Sequence, residues 1–142
     1  MKFIGVKGIR KVGVGPIYSI QNNETDLYED TPNFIAEGLV SKNSKHACLA
    51  SKEMVLTSGG YKSISKLKKT DRIAYMDDHG RIMLTKKFKL HRTGKQKIYK
   101  ITTESGKTLR VTGEHRFFRK EGDMVNDREL KNLDVGDSVL TI

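Results

Sequence analysis

The chain has 142 residues, of which 36% are apolar and 31% charged, so it can bury one hydrophobic core but not two independent ones. Its net charge of +10 permits nucleic acid or an acidic membrane surface as a partner. No apolar run has the length of a membrane span and no signal-peptide core follows Met1, which argues against a membrane-spanning or secreted protein. We therefore expect a cytoplasmic monomer that does not bind membranes.

The basic residues are spread along the chain, with local density at Lys66-Lys68-Lys69 and Lys86-Lys87-Lys89. No stretch interleaves them with aromatic residues in the manner of RNA-binding sheets. We expect no obligatory nucleic-acid partner. A basic β-barrel module that binds nucleic acid remains open as an alternative function.

Short runs rich in Val, Ile and Thr, separated by many of the 13 glycines, predict an all-β fold. The first two runs favour a bent hairpin, interrupted near Gly13, Gly15 and Pro16. The acidic, polar stretch 21–32 predicts a loop, and 63–67 predicts one helical turn. The predicted strands are 2–6, 9–20, 33–36, 39–41, 54–57, 61–62, 72–76, 81–91, 97–103, 107–112, 117–118 and 124–125.

A seven-residue pattern occurs twice, 66 residues apart. Leu67 to Ile73 and Leu133 to Val139 share the form Leu-x-x-x-Asp-x-[Ile/Val]. Each copy follows a glycine, a strand and an Ile/Leu pair, so the pattern is an internal echo that supports this layout; two copies are too few for a solenoid, and a match of seven residues can arise by chance.

Cys48 is the only cysteine, which excludes an internal disulfide framework and a zinc site built from several thiolates. We expect neither a metal nor a cofactor. A lone cysteine is commonly a small buried apolar residue. Cys48 instead follows the hydrophilic stretch 44–47, which favours exposure and reactivity.

Two bonds around this stretch are open to attack by neighbouring side chains. The Asn43 carboxamide can attack its own backbone carbonyl and so break the bond to Ser44, whose hydroxyl is a second nucleophile. The Cys48 thiol lies next to the carbonyl of Ala47 and can form a thioester there. Without a metal, such cleavage also needs a proton donor for the departing nitrogen and stabilisation of the oxyanion.

The sequence on both sides of this stretch resembles the inteins, the self-excising elements of protein splicing, with their two halves in reversed order. The residues before Ser44 resemble the end of an intein, and those from Cys48 onward resemble a beginning. The residues that carry the resemblance are Asn33-Phe34-Ile35-Ala36, Gly38-Leu39-Val40, Asn43, Cys48-Leu49-Ala50, Val55-Leu56-Thr57, Gly59-Gly60, Ile64, Leu67, Asp71 and Thr112-Gly113-Glu114-His115.

The resemblance implies the horseshoe-like hedgehog/intein (Hint) β fold with pseudo-twofold symmetry, here circularly permuted, as a mini-intein or as joined split-intein halves. It divides a single domain, 1–142, into a C-intein-like segment (residues 1–43), an extein-like linker (44–47) and an N-intein-like segment (48–142). The flanking extein sequences would be its own partners. The implied activity is single-turnover splicing or self-cleavage rather than multiple-turnover catalysis.

The resemblance also implies a role for each site residue. Cys48 performs the N-to-S acyl shift at the Ala47–Cys48 bond, and His115 donates the proton there with Thr112 hydrogen-bonding nearby. The acyl group then passes to Ser44, and Asn43 cyclises. Replacing His115 is expected to slow cleavage before Cys48 without affecting folding.

The chain departs from the family pattern at three positions. Lys42 stands where a histidine usually precedes the terminal asparagine, Pro32 where a histidine is common, and Ser19 where an aspartate is common. His91 or His46 could take the place of the histidine missing at 42. A splicing-inactive scaffold of the same fold is therefore a further alternative.

Overall fold

A computed structural model describes residues 2–24, 33–42 and 48–142 of the chain. These residues form an all-β structure with two single-turn 3₁₀ helices, Ile64–Lys66 and Leu130–Asn132. The strands are β1 (Lys2–Asn22), β2 (Asn33–Ala36), β3 (Leu39–Lys42), β4 (Cys48–Ala50), β5 (Met54–Thr57), β6 (Gly60–Ser63), β7 (Ile73–Met76), β8 (Ile82–Thr85), β9 (Phe88–Thr103), β10 (Thr108–Val111), β11 (Arg116–Glu121), β12 (Met124–Glu129) and β13 (Ser138–Thr141).

The strands join in one hydrogen-bonded system in the order β4-β10-β9-β1-β13-β11-β3-β2-β5-β7-β8. β12 pairs with β11, and β6 pairs with β5. β4 also pairs with β1, so β4, β10, β9 and β1 close into a ring. Strands that precede residue 43 therefore lie between strands that follow residue 47.

β1 and β9 form the longest antiparallel pair, which runs from Val6 opposite Thr103 to Asn22 opposite Phe88. The prediction of a bent hairpin within 2–20 was wrong, because β1 is one continuous strand whose partner lies far along the chain. The chain does not reverse direction within β1; its pairing register with β9 shifts at three bulges instead. A bulge accommodates glycines by kinking a strand without ending it.

The boundaries predicted for the strands at 81–91 and 97–103 were also wrong. The strand predicted over 81–91 breaks after Thr85 and restarts at Phe88, and it then continues past Gly94 to Thr103. Gly94 has a φ of 91°, a conformation that glycine adopts without steric cost. The chain thereby inserts one extra residue opposite Ile17 and continues pairing.

The other short hairpins follow the glycine signals. β2 and β3 turn at Glu37 and Gly38, which have φ values of 49° and 78°. Glu37 tolerates this conformation while held by two hydrogen bonds with Met54, one through its backbone N–H and one through its side-chain Oε1. β9–β10 and β11–β12 are hairpins as predicted.

The repeated seven-residue pattern forms two turns with matching hydrogen bonds. Asp71 Oδ2 accepts the Lys68 N–H at 2.7 Å, and Asp137 Oδ2 accepts the Asp134 N–H at 2.8 Å. Each aspartate N–H in turn donates to the carbonyl three residues before it. Each turn follows one of the 3₁₀ helices and leads into a buried strand, β7 or β13.

The main core draws its side chains from both sides of the 43–47 segment. Phe34 and Leu39 come from β2 and β3, and Leu49, Leu109 and Phe117 come from strands after residue 47; all five are fully buried. Burying a side chain of this size stabilises a fold by about 1.5 to 3 kcal/mol. This packing sets the positions of β3, β4 and the turn after β10, which carry the candidate site.

Candidate functional site

Cys48 is the first residue of β4 and lies opposite Ser19 of β1. On the other side of β4, Leu49 pairs with Val111 of β10. The backbone N–H of Thr112 donates to the Cys48 carbonyl at 3.0 Å. The backbone of Cys48 is thus held on both sides by neighbouring strands.

The expectation that Cys48 is exposed was wrong, because pairing with β1 and packing beside Ile17 leave only 4% of the residue exposed. Its Sγ lies 3.6 Å from Thr93 Oγ1. Thr93 sits in the β9 bulge next to Gly94, and bulges redirect side chains in this way. Burial raises the pKa of Cys48; the Thr93 contact opposes this rise and the negative charge of Glu114 adds to it. The thiol is therefore protonated at neutral pH, and it must lose its proton to act as a nucleophile.

His115 ends the four-residue turn that begins at Thr112. Its backbone N–H donates to the Thr112 carbonyl at 3.1 Å, which closes the turn. The imidazole is fully buried, edge-on against Phe34 and Phe117 at centroid distances of 6.3 and 4.9 Å. Ring Nε2 shares a hydrogen bond of 2.8 Å with the hydroxyl of Ser41.

The buried imidazole of His115 is neutral. Desolvation lowers its pKa to about 3, because no counter-charge replaces the water it loses. Its second nitrogen, Nδ1, is buried and has no hydrogen-bond partner among the described residues. A buried polar atom without a partner destabilises a fold by roughly 1 to 3 kcal/mol, so its presence calls for an explanation.

The backbone of Thr112 thus connects the other two predicted residues, Cys48 and His115. Thr112 donates to Cys48 and accepts from His115, so two hydrogen bonds connect the thiol residue to the imidazole residue. The Cys48 thiol and the His115 ring share no direct hydrogen bond within residues 48–142. Thr112 is itself 1% exposed, in a dry setting where polar contacts are strong.

The predicted residues Asn43 and Ser44, and the linker 44–47, lie outside the described residues. β3 ends at Lys42, whose Nζ forms an ion pair of 2.8 Å with Asp127 Oδ2. Burial alone would raise the pKa of Asp127, but hydrogen bonds from Lys42 and Arg116 outweigh it and lower that pKa. Lys42 therefore has a structural partner at the position where the family pattern has a histidine.

His91 and Ser19 share a register position with Cys48. Ser19 pairs with Cys48 on one side and with His91 on the other, so all three side chains point to the same face. Two strand spacings of about 4.8 Å separate Cys48 from His91. His91 is exposed and His46 lies outside the described residues, so neither is placed as a substitute for the histidine missing at 42.

Sequence reasoning missed three residues of this region: Ser41, Thr93 and Glu53. Glu53 is 6% exposed and accepts a short hydrogen bond from the Arg110 N–H, which ties the start of β5 to β10. Gly94 inside a strand pattern was a signal for the bulge that presents Thr93. No local signal pairs Ser41 with His115, because 74 residues separate them.

A comparison with models of known protein families found no match, and no curated protein matches the chain. No three His, Cys, Asp or Glu residues within the described ranges are grouped so as to hold a metal ion. The same residues contain no helix long and apolar enough to cross a membrane.

Proposed function

We propose that the chain is a self-processing element of the protein-splicing type, with a permuted Hint fold, that cleaves its own Ala47–Cys48 bond. The observation that carries the proposal is the buried, neutral His115 with an unpartnered Nδ1, two backbone hydrogen bonds from Cys48. A purely structural histidine in an apolar pocket gains nothing from an unsatisfied nitrogen. An imidazole that transfers a proton does gain from such a nitrogen, because the nitrogen is available to the reacting group.

The proposed reaction begins at Cys48. Its thiol adds to the carbonyl carbon of Ala47, the thiol proton passes to the amide nitrogen, and the C–N bond breaks. The products are a thioester between Ala47 and the Cys48 sulfur and a free α-amine on Cys48. An added thiol then attacks the thioester and releases residues 1–47 from residues 48–142.

Two features of the site support a proton-transfer role for His115. The pKa of Cys48 is raised, so its proton must be moved during attack. The pKa of His115 is about 3, so the imidazole is neutral at pH 7 and must receive the thiol proton during the attack before it can pass that proton to the departing nitrogen. Ser41 fixes the orientation of the ring through Nε2 and leaves Nδ1 as the reacting atom.

The second junction completes the proposal. In full splicing the acyl group passes from Cys48 to the Ser44 hydroxyl, cyclisation of Asn43 to a succinimide breaks the Asn43–Ser44 bond, and residues 44–47 leave as a cyclic tetrapeptide. The strain of so small a ring favours independent breakage of the two bonds. β3 supports this step by fixing the chain just before Asn43: Ser41 is bonded to His115 and Lys42 to Asp127. We propose that these two attachments hold the end of β3 in place. Position 42 is a lysine, so no histidine there assists the cyclisation of Asn43.

Thiol-induced cleavage tests the proposal. The purified chain is incubated at neutral pH with and without dithiothreitol, and intact mass is followed over time. We expect thiol-dependent fragments 1–47 and 48–142 from the unmodified chain and none from Cys48→Ala. His115→Gln should cleave about 10²-fold more slowly, the usual contribution of a general acid.

His79→Gln is the matched control, since His79 is exposed in the turn between β7 and β8. Circular dichroism confirms that each variant is folded. A folded chain that shows no thiol-dependent mass change contradicts the proposed function. Equal rates for His115→Gln and His79→Gln remove His115 from the mechanism.

A further inference from the structure

The net charge of the protein is concentrated on three neighbouring strands. β1, β9 and β10 contain ten Lys and Arg residues and no Asp or Glu. The remaining 17 Lys and Arg residues are balanced by 17 Asp and Glu residues elsewhere in the chain. The whole formal charge of +10 therefore belongs to these three strands, which we call the basic ribbon.

The cations of the basic ribbon face one another. Lys100 of β9 lies directly opposite Arg10 of β1 on one side and Arg110 of β10 on the other. Like charges in directly opposed positions destabilise a sheet. None of the ten cations forms an ion pair with a carboxylate among the described residues. The buried Glu53 lies close enough to Arg110 and Lys100 to interact with them electrostatically.

Arg10 and Arg110 also line a shallow groove of about 510 Å³. The groove continues along β1 past Lys11 to Val14, where β1 and β9 pair only with each other. Lys95 and Lys97 are exposed on the opposite strand of this two-stranded section. Cations thus line the groove and extend beyond it along a projecting pair of strands.

We propose that the basic ribbon binds double-stranded nucleic acid through its phosphates. A duplex presents about one negative charge per 1.7 Å of its axis, so the neighbouring cations Arg10, Lys100 and Arg110 can each contact a phosphate. A two-stranded β-ribbon also fits the major groove of B-form DNA. This inference is independent of the proposed cleavage, because Cys48 and His115 belong to neither the groove nor the projecting strands.

The composition of the ribbon favours a duplex over two other polyanions. Single strands are bound by stacking on exposed aromatic rings. The tyrosines of the ribbon, Tyr18 and Tyr99, are half-buried. Insertion into an anionic membrane uses large apolar side chains, whereas Val12 and Val14 are the large apolar residues that the ribbon exposes, 39% and 66%.

Fluorescence anisotropy with a labelled duplex of about 20 base pairs tests the inference. The full chain carries Cys48→Ala and Asn43→Ala, which block both proposed cleavages, and the salt concentration is varied from about 50 to 200 mM. We expect binding that weakens steeply with salt. The triple variant Arg10→Gln/Lys100→Gln/Arg110→Gln should bind about tenfold or more weakly and reduce the slope of log K against log salt by about 2 to 3.

The matched control is Lys66→Gln/Lys68→Gln/Lys69→Gln, which removes the same charge from an exposed corner outside the ribbon. It should leave the salt slope and the affinity within about twofold of the parent. Equal losses in the two triple variants would show that binding follows net charge alone and would overturn the inference.

Three further outcomes also overturn it. These are no binding at the lowest salt concentration, tighter binding of a single strand of the same length, and binding to phosphatidylserine-containing vesicles without binding to the duplex. A second ribbon variant, Lys95→Gln/Lys97→Gln, keeps the test valid if the triple variant fails to fold, because both lysines are exposed. Loss of cleavage activity has no effect on any of these readouts.

Discussion

Residues 48–76 and residues 108–141 follow the same backbone plan but bury different polar side chains at the same corner. In the first segment, Glu53 N–H donates to the Ala50 carbonyl and the Glu53 carbonyl accepts from Ile64. In the second, His115 N–H donates to the Thr112 carbonyl and the His115 carbonyl accepts from Leu130. The paired distances agree, 3.1 Å for the first bonds and 2.8 Å for the second.

The difference lies in what the two side chains do. Glu53 accepts the Arg110 N–H and so fastens two strands together. His115 bonds to Ser41 through one nitrogen, and its other nitrogen has no hydrogen-bond partner within residues 2–24, 33–42 and 48–142. The Glu53 corner thus stabilises the fold, whereas the His115 corner retains a buried nitrogen without a partner among the described residues. Groups that cost stability in this way are expected at functional sites.

The largest expected effect is on the free energy of unfolding, which the His115 corner and the Glu53 corner should change in opposite directions as pH falls. His115 has a pKa of about 3 in the folded protein and about 6.5 when unfolded, so the unfolded state binds its proton first. The stability that neutral His115 preserves at pH 7 is lost as pH falls from about 6.5 towards 3, at up to roughly 1.4 kcal/mol per pH unit. Urea unfolding at pH 7 and pH 4.5 in the Cys48→Ala/Asn43→Ala background should show this loss.

His115→Gln should lose roughly 2 to 3 kcal/mol less than its parent between these two pH values, because Gln does not titrate. The comparison of variant with parent removes the contribution of carboxylates that titrate in the same range. The same acid sensitivity in His115→Gln and its parent would show that His115 is not the buried base. Full burial also corrects the expectation that replacing His115 leaves folding unaffected, since smaller side chains there leave a cavity.

Glu53 should respond in the opposite direction and more weakly. Burial raises the pKa of Glu53; the Arg110 N–H opposes this rise and the charge of Glu37 adds to it. A raised carboxyl pKa means that ionisation destabilises the fold, so the cost is present at pH 7 and is relieved as pH falls through the folded pKa. Glu53→Gln should therefore be more stable than its parent at pH 7, by about 1 kcal/mol or less, and equal to it near pH 4.5.

The control for this prediction is Glu53→Ala, which removes the acceptor of the Arg110 N–H. It should be less stable than its parent by about 1 to 3 kcal/mol at both pH values, because the buried N–H loses its partner. A Glu53→Gln protein that is less stable than its parent at pH 7 would show that the ionised carboxylate, rather than its acceptor oxygen, secures the two strands.

An effect as small as that of Glu53→Gln is expected in the two turns that the corners lead to. Asp71→Ala and Asp137→Ala each remove an oxygen that accepts a backbone N–H, and each should lower stability by about 1 kcal/mol. The matching Asp→Asn variants keep an oxygen acceptor and should lose less. Thermal unfolding of the four variants measures the effects. A loss more than about threefold larger at one aspartate than at the other would end the structural equivalence of the two segments.

Sequence alone indicated the elements whose signals are local. Turn signals identified the hairpins β2–β3, β9–β10 and β11–β12, whereas the repeated Leu and Asp positions indicated an internal echo without its structure. Cys48 and the Thr112 to His115 motif were chosen by chemistry and motif, and the structure places them two backbone hydrogen bonds apart. These features depend on residues within a few positions of one another.

The remainder depends on pairing between distant residues, which periodicity does not encode. β1 was divided because Gly13, Gly15 and Pro16 interrupt its pattern, whereas β9 supplies a partner that carries the strand through. Ser41 meets His115 only after β3 packs beside β11. The concentration of charge was not visible in the sequence because β1 lies far along the chain from β9 and β10, beside which it packs.

The pairing of β1 with β9 also bears on how the protein acquires its structure during synthesis. The nearest residues of this pair, Asn22 and Phe88, are 66 positions apart, and β13 follows later still. A ribosome adding about 5 to 20 residues per second leaves β1 without its partner for roughly 3 to 13 s. In this interval β4 can cover only Ile17 to Ser19 on one edge of β1, so most of both edges stays open. The four cations that β1 already carries repel other copies of the chain before the native sheet gathers all ten.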